Sequence, residues 1–327
     1  MRIGITGVAG FIGSNLADTL IGRGHSVIGV DNLSMGKLSN IEQLQGCAKF
    51  EFHQVDVRDY DEMRNAFRSA DCIIHLAAYK IPRYGKAIET LEINSTGGKN
   101  VLELGRDGNR RIVLASTSDI YGKNPNVPFH EESDSVLGST TIPRWSYAVS
   151  KLFDEHLALA YQSSYGVPVT ILRFFGSYGP RQHLSWWGGP QAVFISAILN
   201  DEFVEIHGDG MQTRSFTYIT DLVDGIVRAT EYNESQAIVF NLGNTHEVTI
   251  LELASLIHKM CETPNELKLR IVPYASFGTK YEDVPRRIPD ITRARTLLGF
   301  QPVVGLREGL AKTIAWQRNL IQRRAAA

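Results

Sequence analysis

The sequence predicts an α/β protein built mainly on a doubly wound parallel sheet, with a smaller α/β domain after it. The first observation is that short β-branched runs alternate with helix-period stretches through the first half of the chain. This alternation is typical of a parallel sheet that carries helices on both faces. The second observation is that the runs are almost continuously apolar, as in residues 72–76, which indicates strands buried on both sides.

The elements follow one another in a regular order up to residue 173. Strands are predicted at 2–6, 26–30, 50–55, 72–76, 111–115 and 167–173, and helices at 11–21, 60–68, 88–104 and 147–165. After Gly176, prolines, glycines and the Trp186–Trp187 pair break this rhythm. A further helix is predicted after Thr249, a candidate N-cap residue, and the last helix is predicted over 306–322.

Composition excludes several classes of protein. The chain has 327 residues, with 34 Lys and Arg against 35 Asp and Glu, so no large field attracts nucleic acid or an anionic membrane. We find no apolar run near the ~18 residues that span a bilayer. The first residues lack the long apolar core of a signal peptide, so we expect none. The three cysteines are widely spaced, which disfavours a disulfide framework or a metal site. We therefore expect a cytoplasmic protein without bound metal.

A glycine-rich turn follows the first predicted strand. Gly7, Gly10 and Gly13 have the spacing G-x-x-G-x-x-G, and the next helix begins near Phe11 and Ile12. A pyrophosphate needs a tight turn, close approach to the backbone and a helix N-terminus, and this segment can supply all three. The other interpretation is a glycine-rich strand–helix turn that binds nothing.

An acidic residue ends the second predicted strand. Asp31 lies 18 positions after Gly13, where a dinucleotide-binding fold places an acid that accepts hydrogen bonds from the adenosine ribose. Its carboxylate would repel a 2′-phosphate, which favours NAD over NADP. Asp31 also fits a strand-end residue that caps a turn with Asn32 and Ser34.

These motifs predict how the chain divides. We expect residues 1–173 to form an NAD-binding Rossmann domain. Segments near 216–229 and 239–242 are expected to return to it, while 174–327 mainly form a substrate domain.

A tyrosine and a lysine are spaced for acid–base chemistry. Tyr147 and Lys151 are four residues apart in a predicted helix and so share one face. A nearby ammonium lowers the pKa of a tyrosine, which makes the phenolate a general base for a hydroxyl group. Thr117, at the end of the fifth strand, is the candidate for a third member. Taken alone, each motif also fits an amphipathic helix or a polar loop.

Together these motifs resemble the extended short-chain dehydrogenase/reductase family, and within it the nucleotide-sugar epimerases, dehydratases and decarboxylases. The resemblance covers nearly the whole chain. It rests on Gly7-x-x-Gly10-x-x-Gly13, Asp31-Asn32, Asp56-Val57, His75-Leu76-Ala77-Ala78, Asn94, Thr117, Tyr121-Gly122, Tyr147-x-x-x-Lys151, Arg173-Phe174-Phe175, Tyr178-Gly179-Pro180-Arg181, Gly208-Asp209-Gly210, Arg214-Ser215-Phe216-Thr217-Tyr218-Ile219 and Asp221.

The resemblance implies NAD as cofactor, a UDP-sugar as substrate and a homodimer formed by the two long helices at 88–104 and 147–165. It implies that Thr117 and Tyr147 bracket the sugar C4 hydroxyl and that Arg214 clamps the diphosphate. The implied cofactor residues are Gly7, Gly10, Phe11, Ile12, Gly13, Asp31, Asn32, Asp56, Val57, Leu76, Ala77, Ala78, Lys80, Asn94, Tyr147 and Lys151. The implied substrate residues are Thr117, Ser118, Gln191, His207, Arg214, Asp283 and Arg287.

All these relatives begin by oxidising C4, with tyrosinate taking the proton and NAD⁺ the hydride. The segment that ends in Lys80 is similar to UDP-galactose 4-epimerases, so we expect a 4-epimerase acting on a UDP-hexose. The alternative is a UDP-glucuronate decarboxylase that uses Asp119 and Arg287. Ser118 disfavours a 4,6-dehydratase, because dehydratases usually carry Asp there. The presence of Thr117, Tyr147 and Lys151 argues against a non-catalytic NAD sensor.

Two departures from the family pattern carry expectations of their own. Gly176 stands where relatives usually have Asn, and we expect this to widen the substrate pocket. Residues 182–191 form an unusual insert that contains Trp186 and Trp187. We expect a lid or a sugar-stacking element, and the alternative is a packed loop or a dimer contact.

Overall fold

A large parallel sheet dominates the computed structural model, which describes residues 1–80, 86–232, 238–277 and 281–325. The strands are β1 (Arg2–Thr6), β2 (Ser26–Val30), β3 (Phe50–His53), β4 (Cys72–His75), β5 (Arg111–Thr117), β6 (Val169–Phe174), β7 (Ser177–Tyr178), β8 (Val204–His207), β9 (Thr213–Ser215), β10 (Thr217–Tyr218), β11 (Ile238–Leu242), β12 (Glu247–Thr249), β13 (Leu269–Val272) and β14 (Arg286–Arg287). The helices are α1 (Phe11–Gly22), α2 (Tyr60–Ala66), α3 (Ala87–Gly108), α4 (Trp145–Tyr165), α5 (Pro190–Leu199), α6 (Ile219–Glu231), α7 (Ile250–Cys261), α8 (Thr292–Leu298) and α9 (Leu306–Ala325).

Seven parallel strands run in the order β11-β6-β5-β4-β1-β2-β3 within the described residues. Apolar side chains of the central strands are fully buried, Ile3, Ile5 and Ile74 among them. The predicted fold class is therefore confirmed. The strand order reverses between β1 and β4, and such a switch point opens a crevice at the carboxyl ends of the strands.

Helices cover both faces of this sheet. On one face α1 packs against α6, and Leu16 and Leu20 join the larger buried cluster. On the other face α3 packs against α2 and α4, with Phe67 and Tyr161 in a second buried cluster. Both faces exclude water, so the polar ends of the strands are where this sheet can meet a ligand.

The second half of the chain contributes small sheets beside the crevice. In one of them β9 lies between β12 and β14. The parallel pairing of β14 with β9 places Arg287 opposite Arg214. Two arginines that are 73 positions apart in the sequence thus become direct neighbours through strand register.

Element boundaries differ from the predictions in a few places. Strand β5 continues to Thr117 and α4 begins at Trp145, each two residues beyond the predicted end. Thr249 caps α7 as predicted, and its hydroxyl accepts from the Glu252 amide in a capping box. Helix α5 was not predicted. It begins at Pro190, inside the glycine- and tryptophan-rich insert, where the proline was interpreted as a break and not as the first residue of a helix. Within the described ranges, none of the helices has the length and apolar character needed to cross a bilayer.

Candidate active site

The glycine turn lies at the carboxyl end of β1. Gly7 has φ +74°, and a Cβ there would lie 2.9 Å from the Ala77 amide nitrogen. A Cβ on Gly13 would collide with the Gly7 carbonyl oxygen. Helix α1 begins at Phe11, and Gly10 at its N-cap has no side chain to cap the first amides. The backbone can therefore be approached closely and presents N–H groups to an anion, which fits a pyrophosphate.

Asp31 binds this turn directly. Its carboxylate accepts hydrogen bonds from the amides of Ala9 at 3.0 Å and Leu33 at 2.8 Å. Burial raises the pKa of Asp31, and the two amides oppose that rise. Asp31 therefore fixes the turn, as the turn interpretation predicted. A carboxylate has about four lone-pair positions, so it can also accept from a ribose hydroxyl.

Asn32 and Asp56 lie together beyond Asp31. The Asn32 amide donates to Asp56 at 2.9 Å, and Arg58 pairs with the same carboxylate at 2.8 Å. The hydrogen bond from Arg58 holds the pKa of Asp56 well below its usual range. The structure thus places Asn32 beside Asp56, two residues predicted from the sequence to contact the cofactor. Val57 directly follows Asp56 in the chain.

The chain leaving β4 crosses the glycine turn. The Thr6 hydroxyl accepts from the amides of Leu76 and Ala77, each at 3.1 Å. Asn94 is almost fully buried, and its side chain bonds the Tyr79 backbone and the Ser150 hydroxyl. Asn94 therefore positions the loop that contains Ala77 and Ala78 through hydrogen bonds within the protein.

Thr117 and Tyr147 meet where β5 ends and α4 begins. Their side chains are hydrogen-bonded to each other, and both residues are buried. Burial raises the pKa of the Tyr147 phenol well above its ordinary value, and the negative charge of Asp119 raises it further. The protein atoms alone therefore favour a neutral phenol at this position.

Lys151 forms an ion pair within its own helix. Its ammonium lies 3.0 Å from the Asp154 carboxylate, and both side chains are buried. Burial and the negative charge of Asp119 have the largest influence on the pKa of Tyr147, and both raise it. The Asp154 carboxylate offsets part of the Lys151 charge, and the lowering of the Tyr147 pKa by Lys151 stays a prediction.

Asp119 lies among several cations. Its Oδ1 is 2.8 Å from Arg287 and 3.7 Å from Arg144. Lys80 and Arg214 also act on it electrostatically. Burial on its own would raise the pKa of Asp119, but the combined positive charges lower it. Asp119 is consequently a carboxylate at neutral pH.

A second carboxylate holds Arg214. Asp283 Oδ1 is 2.9 Å from Arg214, and Asp283 Oδ2 accepts from the Tyr274 hydroxyl at 2.6 Å. Burial lowers the pKa of Arg214 to about 10, and the nearby charges of Arg287 and Arg144 act in the same direction. Arg214 remains charged at neutral pH.

We call Lys80, Arg144, Arg214 and Arg287, with Asp119 and Asp283, the cationic cluster. Four cations and two carboxylates leave two positive charges in excess, so the cluster suits an anionic substrate. Arg144 was not among the site residues predicted from the sequence. Its place three residues before Tyr147 was visible, but the sequence does not show that its side chain turns toward Asp119.

The insert packs against two parts of the site. Trp186 stacks on His207, with ring centroids 4.2 Å apart, and Trp187 lies edge-on to Tyr79 at 5.1 Å. The packed-loop interpretation therefore holds for Trp186. Gln191 is buried at the start of α5, and its Nε2 has no hydrogen-bond partner among the described residues.

Two further expectations concern the pocket wall. A Cβ at Gly176 would lie 3.0 Å from the Ser215 carbonyl oxygen and 3.1 Å from the Phe216 ring. The Phe216 ring and the Ser215 backbone therefore fill the space beside Gly176, while a wider substrate pocket stays a prediction. Ser118 is buried beside Thr117.

In the described ranges, no group of three or more His, Cys, Asp or Glu side chains is placed to hold a metal ion.

Extended short-chain dehydrogenases/reductases that act on nucleotide sugars combine such a glycine turn with such a threonine–tyrosine pair, and this chain is a member of that group. It belongs to the family described as GDP-mannose 4,6 dehydratase, whose model matches residues 5–313.

Two relatives are decarboxylases. A UDP-N-acetyl-α-D-glucosaminuronate decarboxylase from Bacillus cytotoxicus is 37% identical over 319 residues, which cover 97% of both chains. UDP-glucuronic acid decarboxylase 1 of Xenopus tropicalis is 38% identical over 329 residues, covering 99% of this chain and 74% of that protein.

Two similar solved structures are epimerases. One is UDP-glucuronic acid 4-epimerase from Bacillus cereus in complex with UDP-glucuronic acid and NAD. The other is UDP-glucose 4-epimerase from Thermotoga maritima with UDP-glucose. Each has a TM-score of 0.87 and 30% identity, and each match covers 98% of this chain and 100% of the other.

Proposed function

We propose that this protein is an NAD-dependent decarboxylase of a UDP-linked hexuronic acid such as UDP-glucuronate. The observation that carries the proposal is the Asp119–Arg287 pair at 2.8 Å, beside Tyr147 and inside a cluster with excess positive charge. The two decarboxylase relatives support the same reaction. The sequence-based preference for an epimerase rested on Lys80, but that lysine lies within the electrostatic reach of Asp119 and Arg287 and so suits either reaction.

NAD would bind along the glycine turn. The pyrophosphate would meet the N-terminus of α1, the adenosine ribose would meet Asp31, and the adenine would lie near Asp56. When bound, NAD supplies the oxidising and reducing equivalent for C4, and its positive nicotinamide ring favours the phenolate form of Tyr147. NAD complexes among the similar structures support this assignment.

Thr117 and Tyr147 would hold the C4 hydroxyl between them. Thr117 orients it, and Tyr147 accepts its proton when C4 is oxidised. The product is a β-keto acid, because the carboxylate carbon C6 is attached to C5, next to the new C4 ketone. The bond between C5 and C6 then breaks, its electron pair forms an enolate with O4, and CO₂ leaves. The neutral Tyr147 phenol can donate a hydrogen bond to that enolate oxygen.

Asp119 would act at the following step. The C5 carbon of the enolate takes up one proton, after which C4 is reduced again, so the net reaction consumes one proton and releases CO₂. Asp119 is held as a carboxylate by Arg287 and lies within 3.5 Å of the Thr117 hydroxyl, near C4 and its neighbour C5. A carboxylate at that position can orient the proton donor for C5.

A panel of UDP-sugars incubated with purified protein and NAD⁺ tests the proposal. The panel contains UDP-glucose, UDP-galactose, both N-acetylhexosamines and UDP-glucuronate, with mass spectrometry and chromatography of the products. We expect UDP-glucuronate to lose CO₂ and yield a UDP-pentose. A product of unchanged mass and different retention would overturn the decarboxylase.

A 4-epimerase acting on UDP-glucuronate is the second candidate. The similar Bacillus cereus epimerase structure favours it, because that protein was solved with UDP-glucuronic acid and NAD. The Thr117–Tyr147 pair would serve both reactions. The same panel separates the two, since epimerisation retains the carboxylate.

We also propose that the protein is a homodimer that pairs through α3 and α4. These helices pack against each other, and their outer side carries exposed apolar residues. Ile88 is 62% exposed, Phe153 50% and Val149 44%. Exposed apolar patches of this kind mark protein contacts. Light scattering should show a dimer that Phe153→Glu converts to a monomer, and a dimer that survives Phe153→Glu would place the interface elsewhere.

A further inference from the structure

Arg144 lies between the two carboxylates of the cationic cluster. Its side chain is only 5% exposed. One guanidinium nitrogen is 3.7 Å from Asp119 and 3.6 Å from Asp283. Its Nε has no hydrogen-bond partner among the described residues. Arg144 is therefore a buried charge with two long ionic contacts.

The two carboxylates bind other groups more closely. Asp119 Oδ1 is 2.8 Å from Arg287, while Asp283 Oδ1 is 2.9 Å from Arg214 and accepts from the Val284 amide at 2.8 Å. Their charge is therefore directed mainly at Arg287 and Arg214. Among the three arginines of the cluster, Arg144 has the longest contacts with these carboxylates, so its charge is the least closely paired.

Aromatic rings hold the guanidinium in place. It lies over the Trp145 ring at 4.6 Å and over the Tyr281 ring at 5.8 Å, and it is also hydrogen-bonded to Tyr281. An arginine fixed by rings keeps its planar donors in a defined direction, which suits two-point recognition of a carboxylate.

We propose that Arg144 binds the C6 carboxylate of the sugar and so selects hexuronic acids over neutral UDP-sugars. The inference rests on the proposed function in taking a UDP-linked uronic acid as the substrate. Its geometric basis is that the sugar has to extend from C4, at Thr117 and Tyr147, to the diphosphate, at Arg214. Arg144 lies between these ends, since it contacts Asp119 on one side and Asp283 on the other. The C6 carboxylate projects from C5, next to C4, and so reaches that position.

Binding of two ligands that differ only by CO₂ tests the proposal. UDP-glucuronate and UDP-xylose are titrated calorimetrically into the NAD-loaded protein, in a Tyr147→Phe background that prevents turnover. We expect Arg144→Gln to weaken UDP-glucuronate by roughly 10- to 100-fold, the size of a lost hydrogen bond to a charged group. UDP-xylose should bind as before, because it has no carboxylate at C5.

Two further variants serve as controls for the role of Arg144. Arg214→Gln removes the proposed diphosphate clamp and should weaken both ligands alike. Arg144→Lys keeps the charge but loses the planar fork, so it should fall between wild type and Arg144→Gln for UDP-glucuronate. It also provides a folded variant if Arg144→Gln lowers the melting temperature strongly.

The proposal is overturned if Arg144→Gln weakens both ligands equally, since Arg144 would then act on the diphosphate or on the fold. It is also overturned if neither ligand responds, or if the wild-type site does not prefer the uronate. Failure of the proposed function would look different. The wild type would release no CO₂, while the titrations would still report whether Arg144 recognises the carboxylate.

Discussion

The two sides of the crevice are assembled in different ways. The glycine turn draws on short segments near the N-terminus and is fixed mainly by backbone geometry, with Gly7 at positive φ and Asp31 bonded to its amides. The cationic cluster collects Lys80, Asp119, Arg144, Arg214, Asp283 and Arg287 from distant segments through strand register and buried charge. The glycine turn is thus encoded by neighbouring segments of this chain, whereas the cationic cluster, which we propose selects the reaction, depends on long-range contacts.

Tyr147→Phe should have the largest effect. It removes the proton acceptor and donor at C4, so kcat should fall by roughly 10²- to 10⁴-fold while UDP-glucuronate still binds. Steady-state kinetics and calorimetry measure the two effects. Tyr161→Phe is the matched control, because Tyr161 lies in the same helix and bonds Glu103 at 2.5 Å. Near-normal turnover by Tyr147→Phe would refute the mechanism.

Asp119→Asn tests the role of the cationic cluster. We expect CO₂ release to fall by roughly 10- to 10³-fold, because the amide cannot hold Arg287 as an ion pair or orient the proton donor. NAD binding should be unchanged, since Asp119 lies outside the glycine turn. Loss of NAD binding in this variant would show that the cationic cluster and the glycine turn do not act independently.

The same variant predicts a pH dependence of stability. The pKa of Asp119 is lowered from about 3.8, so its ionised form stabilises the folded state at any pH above that value. The difference in the free energy of unfolding between wild type and Asp119→Asn should therefore be constant near neutrality. It should shrink as the pH falls below about 4, toward the folded-state pKa. Urea denaturation across this range measures it, and a difference that grows in acid would contradict the cation cluster.

Gly13→Ala tests the role of the glycine turn. The added Cβ would meet the Gly7 carbonyl, so we expect weaker NAD binding and a loss of about 1–3 kcal/mol in the free energy of unfolding. Gly22→Ala is the control in the same helix, because nothing lies within 4 Å of its Cβ position. Stability of Gly22→Ala should be equal or higher. If the two variants have the same stability and the same affinity for NAD, the close contact between the Gly13 Cβ position and the Gly7 carbonyl is not important.

The smallest effect is expected at the insert. Trp187→Ala removes the edge-on contact with Tyr79, so KM for the sugar should rise about two- to tenfold, the value of one aromatic pair. Trp186→Ala should mainly lower the melting temperature, since Trp186 packs on His207 and Phe194. An unchanged KM in Trp187→Ala would leave the insert without a role in substrate binding.

The sequence predicted the fold and the cofactor side well, because apolar runs and glycine spacing act over short distances. It also identified Thr117, Tyr147, Asp119 and Arg287 individually. It could not predict that Lys151 pairs with Asp154, since a spacing of four residues fixes a helix face but not the partner of a long side chain.

Two other features escaped prediction for a related reason. Arg144 is three residues before Tyr147 in the sequence, yet its proposed role depends on Asp283, which is 139 positions away. The filling of the space at Gly176 by Phe216 likewise depends on how β9 approaches. Contacts of this kind follow from the packing of distant segments and have no local sequence signal.

The most direct test of the account is the fate of C6. UDP-glucuronate labelled with ¹³C at C6 is incubated with the protein and NAD⁺ in D₂O, and gas and nucleotide products are analysed by mass spectrometry. The account predicts labelled CO₂ together with a UDP-pentose that carries one deuterium at C5. A UDP-hexuronate isomer that keeps the ¹³C would contradict it and assign the Asp119–Arg287 pair to another step.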